Sequence, residues 1–405
     1  MFPRVYPKMP SKALGIIKEL AKKNELIVGR GIEEFEQAFS QYNGLKYGIA
    51  VGSGRIALYS ALKILGVDKG DEVIVPAYTC PVVPSVVLSL GAIPIFVDVE
   101  INTFNLNPDL IELSITQKTK AIIATHIEGY PCDIGRITEI ASKYNLKIIE
   151  DCAQSIGAEY SGKKVGCFGS MSYFSFAAGK QLNTLGGSIV LTNNNNIMSR
   201  LREEISSYTL PSQKIIISRL AFACFLDTIL KPAFFSWTVY PVLLAAGLFN
   251  LDLITLIFED KGDVQHKIRS FKEKYSNIQA ALGKAHLAAL DKQNDMKRQK
   301  ALFLDEALLN IVKRRLWPAG NRPIYHYYSI LSTSRKHLTQ VLLRHGYDTQ
   351  PTWNCACSEL EMFGDYKRDC PVSSRLEKEV LYLPMHEQLD KASLENLARA
   401  INRNI

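Results

Sequence analysis

The chain has 405 residues, 47% of them apolar and 22% charged, which excludes a disordered chain and leaves room for a large core divided over two domains. Its formal charge of +8 fits an anionic ligand, an anionic membrane surface or a mildly basic cytosolic protein. No basic run is interleaved with aromatics, so no nucleic-acid partner is expected. The 8 cysteines show neither a CxxC pair nor a Cys/His set with zinc spacing, so no metal site is expected and the thiols read as buried in a reducing compartment. The N-terminus lacks the apolar region and small-residue cleavage site of a secretion signal, which predicts a cytoplasmic protein.

Residues 1–30 read as a Pro-rich arm followed by an amphipathic helix over Lys12–Lys23, and Ile32–Gln41 as a second helix. From Tyr47 the pattern alternates. Strands are predicted at Tyr47–Val51, Glu72–Pro76, Ile93–Val97, Ala121–Thr125 and Lys147–Glu150, with helices at Arg55–Leu65, Pro81–Leu90, Pro108–Ile115 and Asp133–Tyr144 between them. Such alternation predicts an α/β fold, a mostly parallel sheet with helices on both faces. Met171–Phe176 and Ser188–Thr192 read as two further strands. A large domain over residues 31–261 and a small α+β domain over 262–405 are expected.

The stretch Phe174-Ser-Phe-Ala-Ala-Gly-Lys180 followed by Gly186-Gly187 carries the first chemical signal. Gly179 leaves room for something flat beside the amine, and a lysine held at a strand end, partly out of water, has a lowered pKa and can form a Schiff base. Upstream, Lys147-Ile-Ile-Glu-Asp151 is a strand ending in an acid, where open α/β sheets collect ligands. A carboxylate there can keep a pyridinium nitrogen protonated. The turn Gly52-Ser53-Gly54 opens a helix and is a phosphate candidate, because a helix N-terminus offers free N–H groups. It also fits a loose G-x-G-x-x-A dinucleotide pattern. That reading needs an acid at the end of the next strand, where Val-Ile-Val-Pro-Ala supplies none.

With Gly31-Ile-Glu-Glu-Phe35-Glu36, Ser53-Gly54, Glu72-Val-Ile-Val-Pro76-Ala-Tyr-Thr79, Glu150-Asp151-Cys-Ala-Gln154, the Lys180 stretch and Ser276-Asn-Ile-Gln279-Ala-Ala-Leu-Gly283 in this order, the chain resembles the DegT/DnrJ/EryC1/StrS family of aminotransferases that use pyridoxal 5'-phosphate (PLP). The resemblance implies fold type I and a homodimer whose sites are built by two chains. It also implies transfer of an amino group from a donor such as glutamate to the keto group of a sugar or sugar-derived substrate. It gives Lys180 the covalent link to PLP, Asp151 the ring nitrogen and Gln154 the ring's hydroxyl side. Ser53, Gly54, Arg55 and Ser175 fall at phosphate positions, Arg55 where the family usually has Thr. Cys80 stands where the family stacks an aromatic ring, with Tyr78 as the other candidate. Lys272 stands where the family has an Asn that reaches the partner's phosphate, and His326 matches a substrate-side histidine. In the loop Gln350-Pro-Thr-Trp353-Asn354-Cys-Ala-Cys357 the Pro and Trp of the family are kept, its Arg, Lys and His are replaced by Gln350, Asn354 and Cys357, and Gln350 and Trp353 are the substrate-contact candidates. A dehydratase of the same fold would carry His at position 180.

Residues 215–258 are apolar almost throughout and form an insertion relative to the family, with no charge from Pro232 to Leu251. A membrane span needs ~20 apolar residues. Pro241 and the Trp and Tyr content fit a helical hairpin at one leaflet better. A helical pair buried in a subunit interface is the alternative. The first reading makes the enzyme peripheral at the inner face of the membrane, with a substrate that is lipid-linked or carries an apolar portion. A non-catalytic membrane-associated scaffold is a third reading, which the set Asp151, Gln154 and Lys180 opposes.

Overall fold

Near-continuous apolar runs from Tyr47 to Thr192 assemble into one seven-stranded sheet in a computed structural model that describes residues 1–6, 9–248, 272–308, 313–314 and 320–404. Its spatial order is Tyr47–Val51, Ser188–Thr192, Met171–Ser175, Lys147–Asp151, Thr119–Thr125, Glu72–Pro76, Ile93–Val97. Adjacent strands are parallel except at Ser188–Thr192, which runs against both of its neighbours. Ile122, Ile123, Ile149 and Val190 are fully buried, as strands covered by helices on both faces require.

One reversed strand has a geometric consequence. Val51, Pro76, Val97, Thr125, Asp151 and Ser175 all end on the same edge, and the segments that leave them are Gly52–Gly54, the stretch containing Cys80, Asp151–Gln154 and the Lys180 loop. Pairing of Thr125 with Asp151 and of Asp151 with Tyr173 keeps these ends level.

Beneath that edge lies a buried carboxylate. Glu150 accepts from the backbone N–H groups of Gly166 (2.7 Å), Phe168 (2.7 Å) and Gly169 (2.7 Å) and from His126 Nε2 (3.2 Å). Gly166 has φ +97°, and a Cβ there would lie 2.6 Å from the Phe174 ring. His126, Glu150 and Cys152 bring their ligand atoms within 4.8 Å of one another. The imidazole is nonetheless engaged on both sides, since Nδ1 accepts from Cys132 N at 3.1 Å.

Four antiparallel strands form a second sheet in the order 313–314, Tyr328–Leu331, Val380–Leu383, Gln350–Pro351. The N-terminal arm is tied to it: Phe2 exchanges backbone hydrogen bonds with Gly346 (2.8 Å) and Asp348 (3.0 Å), and Arg4 pairs with Asp348 at 2.7 Å. The helix Asn277–Leu287 packs on the helix Gly31–Tyr42, where Gly283 leaves the space that Phe35 fills. The expected domain boundary at 261/262 lies outside the described residues.

The apolar insertion is broken into three helices, Gln213–Ile229, Pro232–Trp237 and Val239–Leu248; residues 249–258 lie outside the described part. Ile216, Leu220 and Ala223 pack on Met9, Ala13, Ile278 and Leu282. Phe235, Tyr240 and Leu243 pack together against Leu343. No helix among the described residues is long and apolar enough to cross a membrane.

Replacing Glu150 with Ala would leave three backbone N–H groups and an imidazole without their acceptor. The expected cost is on the order of 3–5 kcal/mol. It should appear as a large fall in thermal midpoint or as failure to accumulate soluble protein. A midpoint within about 2 °C of wild type would show that the turn does not depend on Glu150.

Candidate active site

The loop that carries Lys180 is held at both ends. Phe176 N–H donates to Gly187 O at 2.9 Å, and Thr184 and Gly186 N–H donate to Phe176 O at 3.1 and 3.3 Å. Gly187 has φ +98°, and a Cβ there would collide with the Tyr275 ring. The Tyr275 and Thr184 hydroxyls are 2.6 Å apart, and Gln279 Nε2 donates to Gly186 O at 3.0 Å. The motif at Ser276–Gly283 thus fixes the lysine loop through Gln279 while its helix docks on Phe35.

Lys180 projects into a cavity at the sheet edge. Burial holds its amine below the usual lysine range, with Cys80 and Asp151 acting in the opposite sense. Asp151, 4% exposed, accepts from Ala153 N–H at 3.0 Å. Burial pushes its carboxyl up, opposed by a hydrogen bond from the Tyr173 phenol and by the charges of Lys180 and His126. Cys80 faces Lys180, Asp151 and Arg55, and burial raises its thiol. Tyr78 does not share this position. It is fully buried, its hydroxyl donates to Thr352 Oγ1 at 2.6 Å and its ring packs edge-on against Phe104. Of the two ring-face candidates, Cys80 is the one within electrostatic reach of Lys180 and Asp151.

At the other end of the site Ser53 is the N-cap of the helix Gly54–Ile64, its Oγ accepting from Ile56 N–H at 3.4 Å. A Cβ on Gly54 would stand 3.5 Å from Ser175 Oγ and 3.9 Å from the Tyr173 ring, so the glycine keeps that space open. Arg55 is half-buried and turned toward Cys80 rather than to solvent.

Gln154, 8% exposed, accepts through Oε1 from Glu128 N–H at 2.8 Å. His326 is 5% exposed with neither ring nitrogen hydrogen-bonded. Burial and the charges of Lys180 and Lys297 hold it well below the usual histidine range. Trp353 reaches the cavity only through Tyr327, whose hydroxyl it bonds. Gln350, Asn354 and Cys357 are 2%, 1% and 0% exposed and do not line the cavity. Asn354 Nδ2 donates to the Tyr382 hydroxyl at 3.3 Å, and Cys357 Sγ to Thr79 O at 3.3 Å. Lys272 lies over the Tyr59 and Tyr208 rings, also away from the cavity wall.

Three groups escaped the sequence reading. Tyr173 supports Asp151 from the next strand. Glu128, at φ +58°, accepts from Ser329 Oγ at 2.7 Å and the Tyr382 hydroxyl at 2.8 Å. Lys297 lines the Lys180 cavity from the helix Leu290–Ala307, its amine pushed down to about 8 by burial and by Lys300. Strand pairing could have suggested Tyr173; no spacing rule points to the other two.

The arrangement fits PLP on its own terms. A buried carboxylate short of donors is stabilised by a cation placed beside it, and a protonated ring nitrogen is one. Ser175 Oγ has no protein partner among the described residues, and it faces the space above Gly54 beside a helix N-terminus, where a phosphate is stabilised.

The sequence profile of the DegT/DnrJ/EryC1/StrS aminotransferase family matches residues 8–215 and 251–402. The gap between the two matches falls on the three inserted helices. The chain is 28% identical to a GDP-perosamine synthase of Caulobacter vibrioides, over 93% of this chain and 90% of that one. It is 26% identical to a protein of Geobacillus stearothermophilus described as a pleiotropic regulatory protein, over 98% and 95%. A solved DegT DnrJ EryC1 StrS aminotransferase from Brucella abortus superposes with a TM-score of 0.77 at 27% identity, covering 97% of this chain and 95% of that one. The chain belongs to the DegT/DnrJ/EryC1/StrS aminotransferase family; it has the PLP fold type I and is a PLP-dependent aminotransferase.

Borohydride reduction of the PLP-loaded protein followed by peptide mass spectrometry should place the cofactor on Lys180. A label on Lys297 or any other lysine would reject that role. Asp151→Asn should keep PLP bound while slowing turnover by a factor on the order of 10² or more, because a neutral pyridine withdraws electrons poorly. Wild-type turnover in this variant would make Asp151 structural.

Proposed function

We propose that this member of the family moves an amino group from a donor such as glutamate to the keto group of a sugar or sugar-derived substrate. The supporting observation is the grouping of buried Lys180, Asp151 and Cys80 within one another's electrostatic reach, with Lys180 and His326 together lining one cavity. The names of curated relatives support the substrate class: besides the perosamine synthase, a relative in Acidithiobacillus ferrooxidans is a UDP-N-acetyl-3-dehydro-α-D-glucosamine 3-aminotransferase, 28% identical over 94% of this chain.

PLP, when bound, supplies the electron sink that acidifies the C–H bond of the carbon bearing the donor nitrogen. The chain's residues do the rest. Lys180, its amine held down by burial, would accept a proton from that carbon and return it. Asp151 keeps the ring nitrogen protonated, with Tyr173 and Ala153 N–H holding the carboxylate in place. Ser53, Gly54, Arg55 and Ser175 would hold the phosphate, Gln154 the ring hydroxyl, and Cys80 would pack on the ring face. His326 and Tyr327, the latter oriented by Trp353, meet the substrate; Gln350 acts from behind, through the strand pairing that sets Tyr382. A homodimer completes the assignment, with Lys272 serving the phosphate of a second copy. A monomer in sedimentation velocity would remove that part.

The inserted helices favour a surface location. Phe222, Phe225, Phe234, Trp237 and Val242 are 51%, 56%, 54%, 87% and 55% exposed. The charges beside them are Lys214, Arg219, Lys231 and a single acid, Asp227, which is bonded to Met9 N–H at 3.2 Å. Aromatic side chains framed by cations suit an anionic bilayer interface. On this reading the substrate is lipid-linked or carries an apolar portion; the alternative is a cytosolic nucleotide-sugar aminotransferase with an unusual interface.

Two measurements test these assignments. Incubation with L-glutamate should release 2-oxoglutarate and leave the protein able to aminate a nucleotide-linked keto sugar; absence of keto acid from every amino acid tried would sink the reading. In liposome flotation, full-length protein should float with vesicles rich in phosphatidylglycerol, and a Phe225→Ser, Trp237→Ser variant should not. Both proteins remaining at the bottom would return the enzyme to the cytosol.

A further inference from the structure

We infer that Lys297, together with His326, anchors the carboxylate of the amino donor in the Lys180 cavity. The inference rests on the aminotransferase reading and adds the group that recognises the donor. An amino-acid donor brings its nitrogen to the Lys180 end of the site. Its α-carboxylate hangs on the same carbon and must enter the same cavity. A carboxylate taken out of water needs a cation or several N–H donors to offset its desolvation.

Most cations on or behind the cavity wall are already engaged. Arg4 is tied to Asp348 through Nε (2.9 and 3.0 Å) and Nη2 (2.7 Å). Lys300 donates to His386 O at 2.8 Å and Glu387 O at 3.2 Å. The charge of Glu387, the acid on this wall, is set against Lys300. Lys180 is committed to the cofactor. Lys297 Nζ has no hydrogen bond and no ion pair among the described residues, although it lines the cavity.

His326 supplies the second, independent sign of a ligand. It is 5% exposed, both ring nitrogens are unsatisfied, and its position feels the charges of both Lys180 and Lys297. A buried imidazole left so costs free energy unless something occupies the space it faces. A carboxylate between Lys297 and His326 takes a charge-assisted bond from the ammonium and a neutral bond from the ring. The family resemblance marks only the histidine of this pair. The cationic positions that the resemblance places in the loop at Gln350, Asn354 and Cys357 are buried away from the cavity in this chain, so Lys297 takes over the cation's part from a different element.

The test compares PLP-loaded wild type, Lys297→Met and Lys297→Arg. Glutarate, which has the carboxylates of the donor but no amine, is titrated calorimetrically, and L-glutamate is followed by release of 2-oxoglutarate. Lys297→Met should weaken glutarate and raise the KM for glutamate by about tenfold or more, with kcat changed by less than about threefold and PLP content unchanged. Lys297→Arg should recover most of the affinity, which a merely structural lysine would not predict. Glutarate affinity in Lys297→Met within about twofold of wild type would overturn the assignment. So would a loss that falls on competition by UDP and spares glutarate, since the lysine would then hold a phosphate. Wild type that releases no keto acid from any amino acid overturns the underlying reading with it, whereas an active wild type beside an unaffected Lys297→Met overturns Lys297 alone.

Discussion

Everything at this site depends on a carboxylate and an amine being taken out of water on the same edge of one sheet. Asp151 and Lys180 each lose solvation, and each is driven toward its neutral form by that loss. Neither has enough protein partners to make burial comfortable. The fold tolerates the arrangement because its surroundings are rigid: Glu150, the residue before Asp151, is saturated by three backbone N–H groups and an imidazole, and the lysine loop is clamped by Tyr275 and Gln279. One acid in the pair Glu150-Asp151 is therefore spent on structure so that its neighbour, on the opposite face of the strand, can stay underprovided.

That division explains what was legible in the sequence. The strands came through because each is a short, largely apolar run, several of them ended by Gly, Pro or an acid. Asp151 and Lys180 came through because an acid and a lysine at strand ends are rare and chemically pointed. Reading alone could not tell which of Tyr78 and Cys80 stands beside Lys180 and Asp151, since the two are only two positions apart. The hydrogen bond of Tyr78 to Thr352 decides it, and that contact joins residues 274 positions apart.

The loop at Gln350–Cys357 shows a different kind of failure. By resemblance its altered residues looked like cations removed from the mouth of the site. In three dimensions all three are buried, Asn354 in a polar network in which Tyr382 bonds Glu128, Thr352 and Asn354, and Cys355–Ala356 pairs with Tyr78–Thr79. A lysine or arginine at Asn354 would have to bury its charge beside Glu128. Substitution at one position and the chemistry of its neighbours are thus coupled, and the coupling is invisible until Glu128 and Tyr382, 254 residues apart, are seen in contact.

The insertion follows the same logic with the sign reversed. Its length and apolar content suggested a membrane element, yet several of its apolar side chains among the described residues have an intramolecular use. Ile216, Leu220 and Ala223 complete the core under the N-terminal arm, and Phe235, Tyr240 and Leu243 close over the end of the helix Arg335–Arg344. The arm whose start these helices support also supplies Arg4 and Tyr6 to the cavity that holds Lys180. The insertion is thereby joined to an element that lines the cavity. The link is direct, because Asp227 of the inserted helix and Tyr6 of the arm share a hydrogen bond of 3.3 Å.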